Sequence, residues 1–336
     1  MELNTLWFIL VGVLFTGFFV LEGFDYGVGI LMPLLGKSEL ERRTILKSIG
    51  PVWDGNEVWL LTAGGAIFAA FPKWYATMFS SLYLALTLLL VALILRGLAL
   101  EYRNKLTSPT WRSRWDVCIF VGSLLPAILM GVAITDLLHG IPFDAQGTFQ
   151  GNFLDLVQPF PVVAGLASLA LFTWIGLQFL QLKMKGDLLE RTQAFSRKLA
   201  WPVVGIFILM GVFGFLTSPA LSQTAVVFKG TAALAVVTLL GSVFLSGKRA
   251  GYSFTLAVLT IALTTISAFG SLFPHTMVSS LSADWSLTVQ NASSTPYTLK
   301  VMSIVAAIFV PIVLAYQGWT YWVFRKRVGT TDQGGY

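Results

Sequence analysis

The chain has 336 residues, of which 56% are hydrophobic and only 11% charged, with a mean hydropathy of +0.77. Soluble globular domains carry roughly 25% charged residues, so this composition excludes a water-soluble globule and makes lipid the main solvent. The net charge of +6 does not point to nucleic acid, because the basic residues sit in short loops between apolar runs, where their sign carries topology.

Nine apolar runs of spanning length follow one another, at 5–33, 51–71, 75–97, 116–138, 160–182, 200–218, 224–246, 252–273 and 301–324. The first opens on Met1-Glu2-Leu3-Asn4, with no lysine or arginine ahead of it. A secretory leader has a basic start, so this run reads as a retained helix, longer than a bilayer needs and therefore tilted or protruding. Pro126 in the fourth run predicts a kink.

The loops after runs one, three, five and seven, and the tail after run nine, are basic. They carry Lys37, Arg42, Arg43 and Lys47; Arg103, Lys105, Arg112 and Arg114; Lys183, Lys185, Arg191, Arg197 and Lys198; Lys248 and Arg249; and Arg325, Lys326 and Arg327. The alternate loops hold Lys73, Lys229 and Lys300. With Arg96, nineteen of the 22 basic residues fall on one side, which the positive-inside rule assigns to the cytoplasm. The expected fold is an all-α polytopic membrane protein with the N-terminus outside and the C-terminus cytoplasmic. Residues 1–336 form one membrane domain, arranged as two four-helix bundles plus one additional helix. Its longest polar stretches are 139–159 and 274–299, both on the outer face.

Cys118 stands alone inside an apolar run and reads as a small buried hydrophobe. His139 and His275 lie at the ends of runs, so no multi-histidine metal site is expected within the helices, and no metal is expected in this chain. Trp7, Trp74, Trp111 and Trp322 near helix ends read as interfacial belts rather than cofactor stackers.

Four carboxylates interrupt the first two runs: Glu22, Asp25, Asp54 and Glu57. Ionisable groups at membrane depth are costly and tend to be functional. Each pair is three residues apart, which puts both members on one helix face. With Arg96 at the end of the third run, five ionisable groups share a layer near the cytoplasmic surface, suited to taking up protons. A structural reading stands beside this one. Gly50-Pro51 marks a helix start, Asp54 is then a first-turn carboxylate favoured by the helix dipole, and Arg96 neutralises the acids as a charge partner. Gly23, Gly27, Gly29, Gly64 and Gly65 around these acids suggest a closely packed polar seam.

The same residues resemble a known family. Glu22-Gly-Phe-Asp-Tyr-Gly-Val-Gly29 and Gly50-Pro-Val-Trp-Asp-Gly-Asn-Glu-Val-Trp-Leu60 are similar to the two signatures of subunit II of cytochrome bd quinol oxidases. Ala69-Ala-Phe-Pro72, Arg96 and Glu101-Tyr-Arg-Asn-Lys105 continue the likeness, which is densest over 15–120. The resemblance implies a complex in the bacterial cytoplasmic membrane that oxidises quinol and reduces oxygen to water with cytoplasmic protons. It also implies a partner, subunit I, that binds three haems of the b and d types together with the quinol, while this chain ligates none. Small accessory single-helix subunits, lipids or a bound quinone fit the same picture; nucleic acid does not. The family's proton-entry aspartate maps onto Asp54 and its helix-one aspartate onto Asp25, with Glu57 and Glu22 as further members of a proton path. Two other readings are a proton-coupled secondary transporter, which would use the same acidic seam, and a purely structural membrane subunit.

Overall fold

The computed structural model describes residues 2–329. In lipid, backbone polar groups must be satisfied within the segment, and the apolar runs accordingly coil into α-helices. In chain order these are α1 (Leu3–Leu35), α2 (Glu39–Lys47), α3 (Trp53–Ala70), α4 (Pro72–Ser81), α5 (Tyr83–Tyr102), α6 (Pro109–His139), α7 (Pro159–Lys183), α8 (Gly186–Thr217), α9 (Pro219–Ser222), α10 (Val226–Leu245), α11 (Ala250–Leu272) and α12 (Pro296–Val323). A short antiparallel pair, β1 (His275–Met277) and β2 (Leu287–Thr288), completes the regular structure.

Among the described residues, eight helices are long and apolar enough to cross a membrane: α1, α5, α6, α7, α8, α10, α11 and α12. The second run, expected as a ninth span, forms α3. Asp54, Asn56 and Glu57 near its start keep the hydropathy of its 18 residues below that of the eight spanning windows. The third run divides at Leu82, whose φ of −95° and ψ of 18° leave the helical region, so α4 and α5 are separate helices. Pro126 lies inside α6, which continues to His139. The sixth run reaches back to Gly186, because the charged stretch ahead of it continues the same helix.

The core centres on α1, in which every residue from Glu22 to Met32 is buried. It packs against α3, α6, α7 and α11; α5 lies on α6, and α7 joins α6 to α8 and α11. Glycine sets the closest approach. A Cβ at Gly27 would stand 2.0 Å from the Phe172 carbonyl oxygen, and one at Gly176 would stand 2.6 Å from the Gly27 backbone. Small residues let membrane helices come this close. The helix-one glycines therefore do form a seam, against α7 and α6. Gly64 and Gly65 do not, since a Cβ on either would meet open space.

Ion pairs close one end of the bundle. Arg103 bonds Asp116 through Nε at 2.5 Å and Glu39 through Nη2 at 2.8 Å, while Arg42 reaches Asp116 at 3.0 Å and Arg112 reaches Glu39 at 3.2 Å. Arg191 pairs with Glu41, which also closes the capping box that starts α2. The basic segments after α1 and α5 and at the start of α8 thus meet at this end. At the other end the two polar stretches fold over each other, with Ile141 N–H donating to the Val278 carbonyl at 3.0 Å and Ser279 Oγ donating to the Phe143 carbonyl at 2.7 Å. Trp7 and Trp74, expected at the interface, are buried near this end. Trp74 packs against Phe8 and Phe71, and the Trp7 indole donates to the Leu299 carbonyl at 3.2 Å. Trp322 is exposed and Trp111 is half-buried.

Candidate functional site

Helices α1, α3 and α5 bring the ionisable residues together. Glu22 and Asp25 project from one face of α1, one helical turn apart, and both are fully buried. Arg96 comes from α5 and is also fully buried. It forms an ion pair with Glu22 through Nη1, lies 3.8 Å from Glu57 Oε2, and sets its guanidinium carbon 4.9 Å from the centre of the Tyr26 ring. Gly122 of α6 makes room for it, because a Cβ there would stand 2.7 Å from the Arg96 Cβ. Charges are withdrawn from water only when paired and hydrogen-bonded, and one cation here faces three carboxyl groups.

Asp25 is held differently. Its Oδ2 accepts the Asn56 amide Nδ2 at 2.7 Å. Around Arg96, six buried side-chain atoms have no hydrogen-bond partner among the described residues: Glu22 Oε2, Asp25 Oδ1, Tyr26 OH, Ser123 Oγ and the Nε and Nη2 of Arg96. Buried polar atoms are seldom left so, and this density of them marks a polar interior inside an otherwise apolar bundle.

The sequence placed five ionisable groups in one layer, and the structure gathers four of them. Glu22, Asp25 and Arg96 are buried together, and Glu57 is half-buried at their edge, its side chain 22% exposed. Asp54 stands apart. It occupies the first turn of α3 on its outward face, exposed, one turn before Glu57. Burial therefore increases from Asp54 through Glu57 to Arg96, Glu22 and Asp25. Val58, Leu61, Gly65 and Phe68 continue the exposed face that Asp54 begins. Three residues absent from the sequence reading belong to the site. Asn56, in the same signature as Asp54, is fully buried; Gln317 and Tyr321 come from α12 and bond to it. An asparagine between two acids in an otherwise apolar helix was a readable signal. The two α12 residues, more than 250 positions away, gave none.

Two apolar clefts open in the bundle, and one of them reaches Gln317 and Tyr321. One of about 880 Å³ lies between α1, α11 and α12, and one of about 460 Å³ is bounded by α6, α7, α8, α10 and α11. Among the described residues no group of three His, Cys, Asp or Glu side chains converges as metal ligands. The His139 ring, at the end of α6, packs edge-on to Phe160.

The family model described as cytochrome bd terminal oxidase subunit II matches residues 3–324. The chain is 45% identical over 333 residues to the cytochrome bd ubiquinol oxidase subunit 2 of Bacillus subtilis (strain 168), covering 97% of each chain. It is 40% identical to a probable cytochrome oxidase subunit 2 of Haemophilus influenzae, covering 98% of this chain and 95% of that one. With the cytochrome bd-I ubiquinol oxidase subunit 2 of Escherichia coli (strain K12) it shares 36% over 98% of this chain and 96% of the other. Among solved structures, a chain of the bd oxidase from Geobacillus thermodenitrificans superposes with a TM-score of 0.76 over 97% of this chain and 100% of that one. At 17% identity, that superposition is a likeness of fold.

Proposed function

Because the chain belongs to the cytochrome bd terminal oxidase subunit II family, and so is one subunit of a membrane-bound oxidoreductase complex, we propose that it stabilises the haem-bearing subunit I and supplies part of a proton path toward it. On this reading the haems b and d and the quinol belong to the partner. The chain crosses the bilayer nine times, with α3 as the ninth span, its N-terminus outside and its basic end in the cytoplasm.

The observation that carries the reading is the graded burial of the acids. Glu22 and Asp25 lie in the half of α1 nearest the basic end, and α3 starts from that end. Asp54 is open to the surface, Glu57 follows one turn deeper, and beyond it lie Arg96, Glu22 and Asp25, with Glu22 Oε2 and Asp25 Oδ1 unbonded among the described residues. Carboxyl groups at membrane depth that face protein rather than lipid are the usual components of proton relays. The exposed face of α3 is the natural seat for subunit I, because a lipid-facing carboxylate at Asp54 would be costly and a partner surface would cover it. The apolar clefts offer room for lipid chains or a quinone tail.

Asp54→Asn tests the role in the purified complex. Slower oxygen reduction with every haem absorbance band retained supports the path; loss of the assembled complex makes Asp54 structural instead.

A further inference from the structure

The amide of Asn56 makes all four hydrogen bonds that a carboxamide can make. Nδ2 donates to Asp25 Oδ2 at 2.7 Å and to the Leu21 carbonyl at 3.4 Å. Oδ1 accepts the Tyr321 hydroxyl at 2.8 Å and Gln317 Nε2 at 3.2 Å. Gln317 is itself oriented, since its Oε1 accepts the Trp59 indole at 3.0 Å. Turning the amide over would set its oxygen against Asp25 and the Leu21 carbonyl, and its NH₂ against the Gln317 amide donor. The amide therefore has one orientation, and the two α12 side chains fix it.

This clamp is unusual for where it comes from. Leu299 alone is buried along α12 among the described residues, and a cleft of about 880 Å³ separates part of the helix from α1 and α11. A helix so loosely packed nevertheless delivers two polar side chains to a fully buried asparagine. Mere anchoring of α12 would not require the far side of that asparagine to hold a carboxyl group whose other oxygen, Asp25 Oδ1, is unbonded among the described residues.

From this arrangement we infer that Asn56, Tyr321 and Gln317 are positioning residues: through the Asn56 amide they hold Asp25 Oδ2 as a fixed acceptor and leave Oδ1 as the oxygen that takes up and releases a proton. The inference rests on the proton-path reading above. The charged and titratable groups that face Asp25 are Glu22 and Tyr26 of α1, Glu57 of α3, Arg96 of α5 and Tyr321 of α12. The clamp acts on Asp25 within that set without adding a charge of its own.

The test is a mutant cycle on the purified two-subunit complex: Tyr321→Phe, Asn56→Ala and Asp25→Asn singly, and Tyr321→Phe combined with Asp25→Asn. Oxygen-reduction turnover is measured across pH, with haem absorbance and thermal stability of the complex recorded for each variant. Tyr321→Phe removes one donor with little change of shape. It is expected to lower turnover by roughly threefold to tenfold, the scale of one lost hydrogen bond, and to move the midpoint of the turnover–pH profile. Both effects are expected to vanish when Asp25→Asn is already present. The inference is overturned if Asp25→Asn slows turnover while Tyr321→Phe keeps the wild-type rate and midpoint. It is also overturned if Tyr321→Phe lowers turnover equally with and without Asp25, which marks a packing role. Wild-type turnover in Asp25→Asn removes the proton-path reading itself and the inference with it. If Asn56→Ala does not assemble, Tyr321→Phe alone decides between these outcomes.

Discussion

Arg96 and Glu22 form an ion pair with no solvent exposure on either side chain, bridging α5 to α1 in the middle of an apolar bundle. Removing one member of such a pair leaves the other charge buried and alone, which costs about 3–5 kcal/mol, whereas replacing both by apolar groups is often close to neutral. Arg96→Leu is therefore expected to lower the yield and thermal stability of the complex severely, and Glu22→Leu less, because Glu57 still lies 3.8 Å from Arg96. The double variant should recover much of the loss. Melting curves of the detergent-purified complex check this; equal loss in single and double variants contradicts it.

Helix spacing gives a second expectation. A Cβ at Gly27 would meet the Phe172 carbonyl and the Gly176 backbone, neither of which can turn aside. Gly27→Val should prevent α1 from seating on α7 and abolish accumulation of the chain in membranes. Gly65 faces open space on α3, so Gly65→Leu should leave the chain inserted and folded. It should weaken association with subunit I, if that face seats the partner. Co-purification of the two subunits, with the membrane level of this chain measured separately, distinguishes the two effects.

Outside the membrane, the Arg191 guanidinium bonded to Glu41 holds its carboxyl below the usual range, with backbone N–H groups of Lys37 and Ser38 adding to the effect. A carboxyl whose folded pKa is depressed stabilises the fold above its unfolded value, near 4.3, and that contribution is lost as pH falls through the lower folded value. Glu41→Gln should therefore cost a fraction of a kcal/mol, up to about 1 kcal/mol at neutral pH, discounted because the pair is solvent-screened. The difference from wild type should shrink as the pH is taken below 4. Thermal melts of the complex at neutral and acid pH measure it; a difference that grows on acidification contradicts the assignment.

Much of this architecture was legible from the sequence. Apolar length and loop charge report directly on where helices can lie in lipid, and the spacing of Glu22 with Asp25 put both on one face. The errors have physical causes. Asp54 and Glu57 share a signature and a helix, yet only Glu57 turns inward. Three residues fall short of a 3.6-residue turn, so two side chains at that spacing diverge enough for one to reach the interior and the other the surface. Trp7 and Trp74 read as interfacial because tryptophan favours that zone, but the folded 139–159 and 274–299 stretches cover their end of the bundle. The four hydrogen bonds of Asn56 depend on α12 returning beside α1, a contact that no local pattern encodes.

The central claim is that the buried carboxyl groups of this chain move protons for the complex. Its most direct test is oxygen-reduction turnover of the purified complex carrying Asp25→Asn, an exchange that keeps the shape and removes the titrating group. A fall of roughly tenfold or more is expected, about 1.4 kcal/mol at the rate-limiting barrier for tenfold, with all haem bands and the thermal stability of the complex unchanged. Wild-type turnover in that variant would contradict it and leave the acidic cluster as a device for holding helices together.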